Sequence, residues 1–235
     1  MPLSEGGGAF PPTTWGLVAR IRNDASQRQA GLEALCQRYW KPIHSYVLRA
    51  WRRGDEDSKD LTQAFFLWLI EGEVLGSYEP GRGSFRHYLK GLLRGFMRNR
   101  DAYLTRLKRG GGRTHLVLDG ETIDPVDPRT ESPEEAFDRV WVEALLERAT
   151  HEVKRALCAS GHETRWLVFE RYELGAPGSA PTYASVAKAL GIKPTDVANH
   201  LYAVRERLRG ELRAQLRDTV GSQAQLEEEW RDLFG

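Results

Sequence analysis

Thr182-Tyr183-Ala184-Ser185-Val186-Ala187-Lys188-Ala189-Leu190-Gly191-Ile192-Lys193-Pro194-Thr195-Asp196-Val197-Ala198-Asn199-His200-Leu201 is the stretch on which the fold turns. Thr182 is a capping residue, and Val186, Ala187 and Leu190 share one face of the short helix that it opens. Ala187 is small enough to let a second helix approach closely. Gly191 supplies a turn, and Pro194 suits the first position of a helix that presents Val197 and Leu201 to the first one. This is the grammar of a helix-turn-helix, whose second helix enters the major groove of DNA with its first residues toward base edges. Thr195, Asp196, Asn199, His200 and Tyr202 are then expected near bases, and Arg205, Arg207 and Arg209 near phosphates. The plain alternative is a helical hairpin with a solvated, charged face.

Working upstream, Ala176-Pro177-Gly178 is a break, preceded by helical patterns over about 137–159 and 164–174. Ser132-Pro133-Glu134-Glu135 reads as a helix start, with Ser as cap, Pro at the first position and acids in the first turn. Residues 110–133 carry Gly110-Gly111-Gly112, prolines, acids and little periodicity, and read as a flexible acidic linker. Before it, Phe85, Tyr88, Leu89, Leu92, Leu93, Phe96 and Met97 mark the clearest helix in the chain. Leu61, Phe65, Trp68 and Leu69 mark another, with Asp57 or Ser58 as candidate cap. Leu32, Leu35, Tyr39, Ile43, Tyr46 and Val47 mark a third, and Thr13 and Thr14 suit a short helix around 15–22. The only hint of strand-like alternation is His115 to Leu118. The expected fold is all-α, with two helical domains on a flexible linker. A bundle occupies 1–109, the linker 110–133, the helix-turn-helix domain 134–220, and an amphipathic tail helix 221–235.

Composition narrows the function. The longest apolar run, Phe65 to Ile70, is far short of the roughly 20 residues of a membrane helix. No basic residue precedes Arg20, so the start does not read as a signal peptide. Cys36 and Cys158 lie in no CxxC and beside no His, which fits a reducing cytoplasm and offers neither a metal site nor a disulfide framework. Net charge is +1, but its distribution is uneven. Arg82 to Arg113 carries ten Lys or Arg against Asp101 alone, whereas Asp119 to Glu143 carries nine acids against Arg129 and Arg139. A polyanion-binding face followed by an acidic connector is the reading.

Within the basic block Arg86, Lys90, Arg94 and Arg98 fall at steps of four, on one stripe of the helix whose other stripe is apolar. Like charges so aligned repel, so the row costs stability unless a polyanion lies along it. Tyr78 before it and Tyr103 after it are aromatics on which unstacked bases could pack. A solvated helix face is the bland reading. Asp57 and Asp60 share a helix face, but a hydrolytic or metal site needs a third ligand or a nucleophile beside them. The residues recommend none, so no catalytic residue, metal or cofactor is assigned.

These motifs resemble a family. Asp60-Leu61-Thr62-Gln63-Ala64-Phe65-Phe66-Leu67-Trp68-Leu69 is similar to the DLTQEFFLRL segment of extracytoplasmic-function sigma factors of the sigma-70 superfamily. Thr13-Thr14-Trp15-Gly16-Leu17-Val18 resembles the TTRWSLV start of a subgroup common in planctomycetes, acidobacteria and myxobacteria. Leu35-Cys36-Gln37-Arg38-Tyr39-Trp40-Lys41-Pro42-Ile43 resembles its LCRRYWYPLYAYL stretch. The likeness continues through Gly83-Ser84-Phe85-Arg86 and Lys108-Arg109-Gly110-Gly111-Gly112, and covers nearly the whole chain.

The resemblance implies a subunit that binds core RNA polymerase and directs it to promoter DNA, catalysis staying with the polymerase. The first domain would grip the polymerase clamp and melt the −10 element, and the second would read the −35 element. By position, Asp57, Asp60, Gln63 and Phe66 would lie in the clamp-binding helix. Tyr78, Arg82 and Ser84 would lie in the loop that captures an unstacked −10 base, with Arg86, Lys90, Arg94 and Arg98 tracking the strand. An anti-sigma factor is a further partner left open, and a kinase enters only through Ser58. Lys59 and Ala64 stand where relatives carry acids, and Ala198, Tyr202 and Ala203 where they often carry Lys, His and Arg. A sigma-like adaptor that binds DNA or polymerase without supporting initiation alone is therefore the alternative.

Two further expectations concern charge. Phosphorylation of Ser58 would return negative charge to the face that Lys59 and Ala64 have depleted. Leu226, Trp230 and Leu233 share one face of the tail helix, with Glu227, Glu228 and Glu229 expected largely outward. A helix so short needs a surface to bury against, so it is expected either to dock back on one of the two domains and regulate access to DNA or polymerase, or only to complete the core of the second domain.

Overall fold

The computed structural model describes residues 18, 21, 26–51, 54–72, 74–110, 131–175 and 181–235, with side chains at 101–110 left aside. The described residues are helical, with two 3-10 turns and no strand. The fold is all-α. In chain order the elements are α1 (Arg28–Trp51), α2 (Asp55–Glu71), the turns Val74–Ser77 and Pro80–Arg82, α3 (Phe85–Gly110), α4 (Pro133–Ala159), α5 (Glu163–Glu173), α6 (Tyr183–Leu190), α7 (Pro194–Arg217) and α8 (Gln223–Phe234). The expected helix near residue 15 is represented by Val18, buried, and Ile21. The His115–Leu118 alternation, residues 111–130 of the expected linker and the Ala176-Pro177-Gly178 break lie outside the described residues.

The chain divides into two compact units, residues 1–141 with 218–235, and residues 142–217. These boundaries differ from the expected ones. The first turns of α4 belong to the first unit, and so does everything after Arg217.

In the first unit, Leu35, Tyr39, Ile43 and Val47 of α1, Leu61, Phe65 and Leu69 of α2, and Phe85, Leu89 and Leu93 of α3 are buried. Each such side chain removed from water stabilises by about 1.5–3 kcal/mol. Ring contacts knit the helices: Tyr39 meets Phe85 at 5.4 Å, and Phe65 meets Phe96 at 5.3 Å, both edge-on. Ser132 and Glu135 form a reciprocal capping box at the start of α4, with Glu135 N–H to Ser132 Oγ at 3.1 Å and Ser132 N–H to Glu135 Oε2 at 2.7 Å.

The second unit is built on Val153 and Leu157 of α4, Trp166, Val168 and Phe169 of α5, Val186 and Ala187 of α6, and Val197, Leu201 and Val204 of α7. Leu190 packs on this core half-buried. Thr182 caps α6 through a second capping box with Ser185. Gly191 ends α6 in the left-handed region at φ 66°, where a Cβ would cost roughly 1–2 kcal/mol, and Ile192 N–H closes on the Ala187 carbonyl at 3.1 Å. The two helices and the glycine turn inferred from residues 182–201 form.

Candidate nucleic-acid interface

The basic row on α3 is not the free stripe that its spacing suggests. Arg86 has no exposed surface. Its Nε donates to Glu229 Oε1 at 2.6 Å, its Nη1 to Asp138 Oδ1 at 2.5 Å, and its Nη2 to Asp232 and to Glu229 Oε2. Lys90 Nζ lies 2.8 Å from Asp138 Oδ2. Arg94 is exposed and pairs with Glu134 at 2.9 Å, and Arg98 is exposed. The repulsion along the row is thus relieved from within the unit, by acids at the start of α4 and on α8. Arg86 is a buried ion-pair centre here, and not a surface cation.

Glu229 responds to the same arrangement. Burial would raise its carboxyl, but hydrogen bonds from His87 and Arg86 and the Arg86 charge outweigh burial and hold it at about 2. The expectation that Glu229 faces outward is therefore corrected: it is buried, while Glu228 is exposed. His87, Glu229 and Asp232 bring ligand atoms within 4.8 Å of one another. Arg86 already holds both carboxylates, and a guanidinium beside them repels a cation, so the cluster reads as an ion-pair network.

Ahead of α3, the turns 74–84 fold over two adjoining cavities of about 380 and 320 Å³, which share Arg82, Gly83, Ser84 and His87. Tyr78 is buried and does not present its ring as a platform. It packs on Phe85 at 5.0 Å and Tyr88 at 5.3 Å, and its hydroxyl donates to the Gly83 and Thr219 carbonyls at 3.2 and 3.3 Å. Burial, then the negative charge of neighbouring groups, pushes that hydroxyl up to about 12. Ser84 is buried with Oγ 2.9 Å from His87 Nδ1. Arg82 is exposed at the rim, 2.7 Å from Glu79. Of the three loop residues, Arg82 alone faces solvent.

On α2, Asp57, Asp60 and Gln63 are exposed along one face, joined by Leu67. Phe66 is not part of that face: it is 5% exposed and stacks on Trp40 at 5.8 Å, so its place is the core. The helix starts at Asp55 behind Gly54 without a side-chain cap, so neither Asp57 nor Ser58 caps it. Ser58 is fully buried with its hydroxyl on the Gly54 carbonyl at 3.1 Å, which removes it as an acceptor for a kinase in this state. Lys59 lies 2.8 Å from Asp55 and 2.7 Å from Glu56, offsetting part of the negative charge that Asp55, Glu56 and Asp57 give the helix's first turn.

In the second unit, Thr195, Asn199 and Tyr202 are exposed on α7, and Tyr202 keeps 68% of its surface. Asp196 and His200 are half-buried, and the Asp196 carboxylate accepts the Lys193 N–H at 3.3 Å, a local cap that turns it from bases. Arg205 is bound by Glu173 of α5 and Arg209 by Glu206, while Arg207 is exposed. The groups that sequence reasoning missed are Asp138, Thr219, Glu229 and Asp232, which hold the start of α3. One signal was present: on a helical wheel Glu229 lies beside Leu233, at the edge of the apolar stripe and not opposite it.

Neither protein-family models nor curated proteins yield a match to this chain.

Proposed function

We propose that this chain is a sigma factor that binds core RNA polymerase and directs promoter-specific initiation in the cytoplasm, without catalytic activity of its own. The observation that carries the reading is the capped, glycine-turned pair α6 and α7, which holds Thr195, Asn199, Tyr202 and Arg207 exposed on its second helix. The motif likeness of α2 and of the Gly83–Arg86 start supports assigning the first unit to polymerase binding and −10 recognition. Pull-down of core polymerase followed by transcription from randomised promoters tests it. Transcripts sharing an upstream element are the expected result; failure to bind core polymerase would overturn it.

A second reading, a sigma-like adaptor that does not initiate alone, is favoured by two features. Lys59 cancels acidic charge on α2, and Arg86 is withdrawn from solvent. Core binding without transcripts selects this reading.

A further inference from the structure

Residues 218–234 return to the first unit and lie on the groups that a strand of nucleic acid would use. The Thr219 carbonyl accepts the Phe85 N–H at 3.0 Å. That amide is one of the orphan donors at the start of α3, the kind of group that takes a phosphate. The same carbonyl holds the Tyr78 hydroxyl. Glu229 and Asp232 take the Arg86 guanidinium, the donor best shaped for a phosphate. Gln225, Glu228 and Glu229 wall the second cavity against the turn at Gly81–Ser84. Gly221 lies so close to this turn that a Cβ there would come 2.5 Å from the Pro80 carbonyl oxygen.

We propose that residues 218–234 are an intramolecular cover for this face, an acidic segment that stands in for a nucleic-acid backbone and must lift before a single strand binds. The inference rests on the reading of the first unit as a strand-binding domain. Its occupant is a single strand because the covered groups combine phosphate donors with cavities at a turn, and present no helix free to enter a groove. The hold combines ion pairs with partial apolar burial: from 218 to 234 Thr219, Leu226 and Glu229 are buried, and Val220, Trp230, Leu233 and Phe234 are half-buried. Phosphates compete with such a hold. Departure also leaves Arg86 with Asp138, so its charge is not orphaned in the core. Ser222 caps α8 through Gln225 N–H, so the helix carries its own start when it lifts.

Three full-length chains test this: wild type, Glu229→Gln with Asp232→Asn, and Gly221→Ala, which crowds Pro80 without altering charge. Binding is measured with a fluorescent single-stranded DNA of about 12 nucleotides, long enough for the 4–16 nucleotide footprints of strand-binding domains. Both variants are expected to bind at least tenfold tighter than wild type. In wild type, saturating oligonucleotide is expected to speed amide exchange of 223–234 at least tenfold while slowing that of 85–98. Equal binding by all three, with 223–234 protected throughout, overturns the cover and leaves the strand-binding reading standing. No binding by any of them overturns the strand-binding reading, and the competition with it. Should the double variant fail to fold, Gly221→Ala and the wild-type exchange decide the outcome.

Discussion

A guanidinium stripped of water costs several kcal/mol unless carboxylates meet its donors, and Arg86 meets three. The depressed carboxyl of Glu229 turns this into a pH dependence. Its value in the folded chain, about 2, lies below the ordinary 4.5. The associated stability is therefore fully present above pH 4.5 and is lost as pH falls from there through 2. By linkage it amounts to about 3 kcal/mol at neutral pH. Urea midpoints taken between pH 6 and 2.5 should fall more steeply for wild type than for Glu229→Gln, and parallel curves would count against the pair. Ser58 makes the opposite case, a polar residue whose interior place shows only in its spacing, three before Leu61 and seven before Phe65 on the apolar stripe of α2. Ser58→Asp puts a carboxylate where no surface is exposed, and should lower the stability of the first unit by roughly 2–4 kcal/mol without strengthening polymerase binding. A melting temperature unchanged by Ser58→Asp would contradict the burial.

Helices were legible because their signals are local. Ser132 and Thr182 cap, Gly191 turns and Pro194 opens a helix through contacts within a few residues, and each forms as the pattern requires. The pairing of Arg86 with Glu229 was not legible, since 143 residues separate them and no periodicity links the two. On the proposed reading, α7 offers Asn199 for base contact and Arg207 for phosphate contact. Asn199 is exposed and suits bidentate contact with adenine, worth about 1–3 kcal/mol against a wrong base. Asn199→Ala should relax preference at one position of a −35 library, whereas Arg207→Ala should weaken all sequences alike; identical profiles would refute the assignment. For α3, Arg94 and Arg98 are the members of the row still exposed. Changing both to Ala should reduce the slope of log affinity against log salt for a promoter complex by roughly one to two. An unchanged slope would make them a solvated face.

Along the chain the two units fall at bounds other than the expected 1–109, 134–220 and 221–235. A contiguous unit, 142–217, is set within a discontinuous one completed by 218–235. The domain boundaries were hard to place in the sequence because α4 runs unbroken from Pro133 to Ala159 with no punctuation at residue 141. Two such units are expected to open as separate cooperative blocks, as contiguous packed regions do in native-state exchange. Amides of 223–234 should therefore open no later than those of 85–98 in mild denaturant, and independently of those of 194–217. Exchange of 223–234 in step with 194–217 would place the last helix in the wrong unit.

The distance along the chain between Arg86 and Glu229 also sets a clock. Ribosomes add about 5–20 residues per second, so the separation of 143 positions takes roughly 7–30 s to translate. For that interval the nascent chain carries the start of α3 without its distant carboxylates, beside the polyanion of ribosomal RNA, until residues 218–234 are made and close it.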